Sequence, residues 1–390
     1  MNSLVPPESA AVDLENISLS RKEDWKLWVY APPLTPPPRL TCRQIAALGP
    51  EAIFRYNEAR RVWHANLGPI ETPQLKLLHR RLKVIVGSNR QFGDKPKDAI
   101  AVDAYPGLGK TTAVLAFAKE FHQQQIALRG PMTPDGNERW PVCRVGLTGN
   151  TGMLDFNKAM LEFYGHPGTS KGSAAHFARR ALDCVLSCQT RLLVVDDLHF
   201  LRFRETNGVE ISNHFKYIAN EFPVTLLFVG VGLARRGLFS EGGTDEDSVM
   251  AQLGRRTKRL GLAPFTIDTD ERRFEWRQLL LNIEQQLILA NVYPGMIADD
   301  LSDYLFARST GHIGSLMSVV RGGCELAALT GAERFTAQLL DEVDMDDSAD
   351  RARAELDAAI SSGRLTTKLG TRRGKRGGTS RPTASRRSKS

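Results

Sequence analysis

The stretch Ala104-Tyr105-Pro106-Gly107-Leu108-Gly109-Lys110-Thr111-Thr112 constrains this chain more than any other. An apolar run, Ala99-Ile100-Ala101-Val102, precedes it, and a helical pattern from Thr111 to Phe121 follows. Strand, glycine turn, lysine, hydroxyl residue and helix in that order make a phosphate-binding loop, with Ala in the first position where Gly is commoner. Gly107 and Gly109 let backbone N–H groups curl around phosphate oxygens. The helix N-terminus points its unpaired N–H groups the same way. Pro106, Gly107, Leu108, Gly109, Lys110, Thr111 and Thr112 are therefore the expected nucleotide-binding residues, with Lys110 reaching the β and γ phosphates of ATP and the Thr111 hydroxyl reaching Mg²⁺.

A second element supports the first. Arg191-Leu192-Leu193-Val194-Val195-Asp196-Asp197 runs four apolar residues into two carboxylates. Such a continuous apolar run suits a strand buried on both faces of a parallel sheet. Asp196 is expected to hold Mg²⁺ together with Thr111. Asp197 is expected to polarise water for hydrolysis, from a side chain one methylene shorter than the glutamate many ATPases use.

The rest of the chain alternates. A strand is expected over 140–147, helices near 151–164 and 172–187, the strand of the two aspartates, a helix near 209–220, and a strand over 224–229. Strands alternating with helices imply a doubly wound parallel sheet with its ligand at the carboxyl ends of the strands. From about residue 266 the strands stop and helical patterns run from 270 to 343. The expected fold class is α/β, a P-loop core with a parallel sheet followed by a small all-helical domain. The expected divisions are an extended Pro-rich arm over 1–40, a helical segment over 41–95, the α/β core over 96–265, the helical domain over 266–346, and a basic disordered tail over 347–390. The aromatics of the arm, Trp25, Trp28 and Tyr30, suit docking on a partner or on the chain's own surface equally well.

Charge is unevenly spread. From Arg364 onward there are ten basic residues and no acidic ones, so the remainder carries 52 − 10 = 42 basic against 44 acidic residues. The basicity belongs to the C-terminal segment, and such a block favours polyanions, most simply nucleic acid. No apolar run approaches the roughly 20 residues of a membrane span. The first residues lack a signal-peptide pattern, and five scattered cysteines suit reduced thiols, so a cytoplasmic location is expected.

This order of motifs resembles the AAA+ ATPases, and more narrowly the TniB and TnsC ATPases of bacterial DNA transposition. The resemblance spans about residues 45–345. It is carried by Tyr56, Arg60, His64 and Ile70-Glu71-Thr72-Pro73 ahead of the loop, and by Val195-Asp196-Asp197-Leu198-His199. Ala251-Gln252-Leu253-Gly254-Arg255-Arg256 and Thr310-Gly311-His312-Ile313-Gly314-Ser315-Leu316 complete it. The resemblance implies ATP and Mg²⁺ as ligands, and a helical lid. It implies Arg255 or Arg256 as an arginine finger serving the next subunit, although such a pair in an arbitrary protein is a solvated surface feature. It implies a homo-oligomer, ring or filament, that tracks duplex DNA, recruits a transposase and answers to a target-selection protein. Val231 stands where many relatives place a polar sensor, and Ser315 where many place a lid arginine; with Asp197 these departures imply slow hydrolysis. The competing readings are a replication-initiator or helicase-loader AAA+ ATPase, and a signalling NTPase switch without DNA.

Overall fold

The computed structural model describes residues 14–92, 95, 97–147, 152–198, 208–233, 254–345 and 347–369. The alternation seen in the sequence becomes a five-stranded sheet in the order β2-β3-β4-β1-β5, with every pairing parallel. Its strands are β1 (Ala99–Asp103), β2 (Val142–Gly146), β3 (Leu192–Asp196), β4 (Thr225–Gly230) and β5 (Thr257–Leu260). β3 and β4 are buried at every position, as central strands covered on both faces must be. β5 escaped the sequence reading because it is an edge strand, with exposed Lys258 and Arg259 between buried Thr257 and Leu260. Charges on an edge discourage pairing with other chains but hide the strand's apolar signal.

The helices before and within the sheet are α1 (Lys22–Tyr30), α2 (Cys42–Ala46), α3 (Pro50–Ala65), α4 (Pro73–Ser88), α5 (Lys110–Arg129), α6 (Met153–Phe163), α7 (Ala174–Ser187) and α8 (Gly208–Glu221). The local chemistry of their starts is legible. Thr72 accepts the N–H of Leu75 ahead of Pro73, and Ser173 accepts the N–H of His176. α9 (Asp270–Glu284), α10 (Ser302–Ser309), α11 (Ile313–Leu329), α12 (Ala337–Asp341) and α13 (Asp347–Ser361) follow the sheet. Glu284, itself buried, accepts the N–H groups of Gly295 and Ile297 at 2.8 Å and so caps the π-helical turn Met296–Asp300.

Two expected boundaries are corrected. The arm over 1–40 is not simply extended: Lys22–Tyr30 is helical, and Trp25 and Val29 are fully buried in the same apolar core as the sheet. The Trp25 indole donates to His122 Nδ1 at 3.1 Å, and α5 side chains of Lys119 and Gln123 cap the carbonyls of Trp28 and Val29. Of the two fates open to these aromatics, the arm's own protein is the partner. The segment 347–390 is not all tail either. α13 packs against α10, with Leu356 and Leu365 against the second core. Asp303 accepts the N–H of Thr367 at 2.6 Å, and Arg273 donates to the carbonyl of Thr366. The apolar stripe of α13 is thin and its charges are dense, which is why composition alone read it as tail. Residues 370–390, the bulk of the basic block, lie outside the described residues.

A second apolar core holds the helices after the sheet together with Leu67 and Ile70 from the lead-in. An ion pair seals it to α3. Arg60, 1% exposed, meets both carboxylate oxygens of Glu333 at 2.7 and 3.0 Å, lies over the Tyr56 ring, and donates to Asn57. His64 Nε2 accepts the N–H of Ile288, and the Trp63 indole donates to the carbonyl of Gln286. Thus three of the residues that carry the family resemblance, Tyr56, Arg60 and His64, form the seam between α3 and the helical region.

Burial pushes the imidazoles of His64, His122 and His214 down from 6.5 to about 4, helped by Arg60 beside His64 and Lys26 beside His122. A histidine depressed on folding stays neutral in the fold and takes up a proton on unfolding. Its stabilisation is present above pH 6.5 and is lost as pH falls from 6.5 toward 4. At pH 5 the expected loss is roughly 2 kcal/mol per histidine. Thermal melts at pH 7.5 and 5.0 check it: His122→Asn keeps an acceptor for Trp25 without titrating, so its melting temperature should fall less between the two pH values than wild type. An equal fall removes His122 from the account.

Candidate nucleotide site

The loop between β1 and α5 takes the shape its glycines permit. Gly107 and Gly109 have φ of +72° and +73°, the left-handed region that side-chain-bearing residues avoid. Gly109 is the N-cap of α5, so the helix opens at Lys110 with its first N–H groups facing the loop. Lys110 is 9% exposed and its ammonium donates to the carbonyl of Tyr105 at 2.7 Å. Burial lowers the Lys110 pKa, while Asp103, Asp196 and Asp197 oppose that shift. A buried cation among three carboxylates, at the N-terminus of a helix, suits a polyphosphate and its counter-ion.

Asp196 ends β3, 2% exposed. Its Oδ1 accepts from the Thr111 hydroxyl at 3.2 Å and from the Asp197 N–H at 3.1 Å. Hydroxyl and carboxylate oxygens at this separation form a hard-donor set that fits Mg²⁺. Asp197 has φ of +58°. Aspartate tolerates that left-handed conformation better than longer residues do. This supplies a backbone reason for Asp where a Glu was the commoner expectation.

The other half of the cleft comes from the helical region. The N–H of Gly314, at the start of α11, donates to the carbonyl of Gly107 at 2.7 Å. A Cβ on Gly314 would lie 2.8 Å from that oxygen, so only glycine allows this approach. Likewise the N–H of Phe265 donates to Gly311, whose Cβ would strike the Phe265 carbonyl. The resulting cleft, about 990 Å³, has a phosphate end at Gly107–Thr112 and an apolar end formed by Leu67, Pro69, Ile70, Leu75, Leu262 and Met317. An apolar slot beside a phosphate cradle accommodates a nucleobase. Pro106, Leu108 and Thr112 also line it, as does Ser315.

The remaining expected residues lie elsewhere. Arg255 is exposed and Arg256 half-buried, just before β5 at the amino end of the strands, opposite the end that carries the loop. Arg256 donates to Asn220 and to the carbonyl of Lys97, both at 3.1 Å. Neither arginine approaches this protomer's own cleft. Val231 directly follows β4, and Thr225 opens β4 at the far, amino end of the strand, where its hydroxyl accepts from Asn89. His199 and Ala251-Gln252-Leu253 lie outside the described residues. The sequence reading missed Arg144 on β2, whose guanidinium pairs with Asp196 Oδ2 at 3.0 Å. No motif marks it; only the strand register brings it there. Among the described residues no cluster of His, Cys, Asp and Glu suits another metal, and no helix is long and apolar enough to cross a membrane.

With this geometry in view, residues 94–238 match a family described as an AAA domain. No curated protein matches the sequence. Among solved structures, the chain is similar to the Aeropyrum pernix ORC1 protein in complex with DNA, with 17% identity, a TM-score of 0.52, and 78% of this chain and 71% of that one covered. The Aeropyrum pernix ORC2 protein (ADPNP–ADP complexes) gives 13% identity and a TM-score of 0.51, over 79% of this chain and 86% of that one. Cdc6p from Pyrobaculum aerophilum gives 14% identity and a TM-score of 0.50, over 70% and 67%. At such identities the likeness concerns the fold: this is a P-loop α/β core of the AAA+ kind with a helical region after it.

Proposed function

We propose that this AAA+ chain is an ATP-dependent assembly protein that works on duplex DNA, of the replication-initiator type. The observation that carries the reading is the two-sided cleft, with Gly107–Thr112 and Asp196 on one wall and the Gly311–Ser315 turn of the helical region on the other. Lys110 would exchange the Tyr105 carbonyl for the β and γ phosphates. Thr111 and Asp196 would hold Mg²⁺, which when bound supplies charge neutralisation at the phosphate oxygens. Asp197 would orient the attacking water. The exposed Arg255, remote from its own cleft, suits a finger acting on a neighbour's γ-phosphate, whereas Arg256 is committed to Asn220 and Lys97. Head-to-tail contacts of that kind are heterologous and produce rings or open filaments.

Support for DNA comes from charge as well as from the ORC1 likeness. Arg191 precedes β3, and the N–H of Thr225 donates to its carbonyl; Asn89 bonds the Thr225 hydroxyl and so brings Arg90 to the same end of the sheet. Burial, then Arg129, Arg90 and Arg139, lower the Arg191 pKa. Arg90 and Arg129 are exposed beside half-buried Arg191 and suit a phosphate backbone read without base contacts, whereas Arg139 is buried on the carbonyls of Gly130 and Met132. A second reading, regulation of DNA transposition with recruitment of a transposase and a target-selection protein, is favoured by one observation. The string Ile70-Glu71-Thr72-Pro73 that carries the TniB and TnsC resemblance contributes Ile70 and Thr72 to the cleft.

Sizing and negative-stain imaging with duplex DNA, with and without a non-hydrolysable ATP analogue, test the shared part: large assemblies should require nucleotide. Elution as a monomer under every condition rejects it. Mixing then tests the finger. Arg255→Ala keeps a good site, and the double change Asp196→Ala, Asp197→Ala keeps a good finger, so co-assembled mixtures should regain part of the ATPase activity. Proteins that co-assemble without any recovery rule out action in trans. Binding of the ATP-loaded protein to a replicative helicase or to a transposase separates the two DNA readings.

A further inference from the structure

Arg144 and Asp196 sit on adjacent strands, β2 and β3, with Arg144 opposite Val194 and Gly146 opposite Asp196. Their side chains therefore leave the same face of the sheet two residues apart, about 6.6 Å at the rise of a strand. An extended arginine covers that distance, passing Gly146 at ordinary contact range, since a Cβ there would lie 3.6 Å from the guanidinium. The outcome is a division of one buried carboxylate. Oδ1 faces Thr111 and the Asp197 N–H, while Oδ2 takes Arg144 Nη2 at 3.0 Å. On its far side Arg144 Nη1 reaches the Ser20 hydroxyl at 3.4 Å, just ahead of α1, and Arg144 Nε is buried without a partner among the described residues.

We propose that Arg144 is a built-in counter-cation of Asp196 that withholds the divalent metal from the Thr111–Asp196 pair until a nucleotide brings its own negative charge. The proposal rests on the nucleotide reading above. Asp196 is the carboxylate best placed to grip a divalent cation beside Thr111, and Arg144 already neutralises it from the side away from that hydroxyl. A metal arriving alone meets a neutral hydroxyl, a neutralised ion pair, and the ammonium of Lys110 set among the carboxylates of Asp103 and Asp197. A metal arriving with phosphates meets several new anionic oxygens, and like-charge repulsion from Arg144 is outweighed. Arg144 is a positioning residue here: it acts through Asp196 and touches neither nucleotide nor metal.

The test uses Mn²⁺ as the probe, its binding to the full-length protein followed by electron paramagnetic resonance with and without ATP. Wild type should bind Mn²⁺ weakly alone and at least about ten-fold more tightly with ATP. Arg144→Met, which keeps the length and loses the charge, should bind Mn²⁺ without nucleotide at least about ten-fold more tightly than wild type. Arg144→Lys, which keeps the charge, should stay within about three-fold of wild type. Structural damage at this site would weaken metal binding, so a gain cannot arise from it. If Arg144→Met fails to fold in a thermal melt, Arg144→Gln takes its place with the same expected gain. Unchanged or weaker Mn²⁺ binding by a folded charge-removing variant overturns the proposal. Failure of the nucleotide reading shows separately, as no effect of ATP on Mn²⁺ binding to wild type together with no binding of a fluorescent ATP analogue in EDTA.

Discussion

Lys110→Ala is expected to weaken ATP binding by about 10²–10³-fold, and with it any nucleotide-driven assembly. The ammonium is the cation placed at the mouth of the Gly107–Gly109 cradle, held on the Tyr105 carbonyl at 2.7 Å. Charge-assisted hydrogen bonds to phosphate contribute about 1.5–3 kcal/mol each, and two near the lower end, about 3–4 kcal/mol together, account for the expected factor. The substitution is mild for the fold. Position 110 is the first residue of α5, alanine is the best helix former, and the Tyr105 carbonyl lies at the open end of the loop. Titration with a fluorescent ATP analogue, together with sizing, gives the readout. Unchanged affinity and unchanged assembly would remove the phosphate-loop assignment and everything built on it.

The second large effect concerns stability. Glu333→Ala is expected to destabilise the protein by about 3–5 kcal/mol, because it leaves the guanidinium of Arg60 buried without its counter-charge. The carboxylate also accepts the N–H of Ala290, which would be orphaned as well. Chemical denaturation measures the change. The double variant Arg60→Met, Glu333→Leu should recover the part of the loss due to the unpaired charge, since an apolar replacement of a buried pair is often near neutral, while the Ala290 N–H stays unpaired. A single variant as stable as wild type would mean that water reaches the pair and that the seam is not dry.

The local features of the candidate site were legible in the sequence. Gly107, Gly109, Lys110, Thr111 and Asp196 fall where the motif spacing places them because a phosphate loop and a carboxylate-ended strand are local features, each readable within ten residues. What was not legible is long-range. Arg144 lies in a stretch that reads as an ordinary strand, and its partner is 52 residues away. The approach of Gly314 to Gly107 depends on how the helical region sits on the loop, which no local pattern encodes. The residues Tyr56, Arg60 and His64 were visible as a family-like string, yet nothing in the string says that they brace α3 against Glu333 and Ile288. α1 was hidden for a different reason. Three aromatics beside prolines look like an arm, and the burial of Trp25 and Val29 with the indole contact to His122 shows that the helix is part of the core.

The Arg60–Glu333 seam also bears on how the protein is made. Arg60 is separated from Glu333 by 273 residues. At a synthesis rate of roughly 5–20 residues per second the ribosome needs about 14–55 s to cover that interval. Until its end Arg60 has Asn57 but not its counter-charge, while Trp63 and His64 wait for Gln286 and Ile288. The sheet and its phosphate loop can close on themselves in that time, since strands β1 to β5 are complete by residue 260. The nascent chain thus passes through a stage with a finished core and an open seam, and its last step is the return of the newest helices to one of the oldest. Chaperone dependence should therefore concentrate late in translation, and truncations that end between residues 265 and 333 should be the aggregation-prone ones.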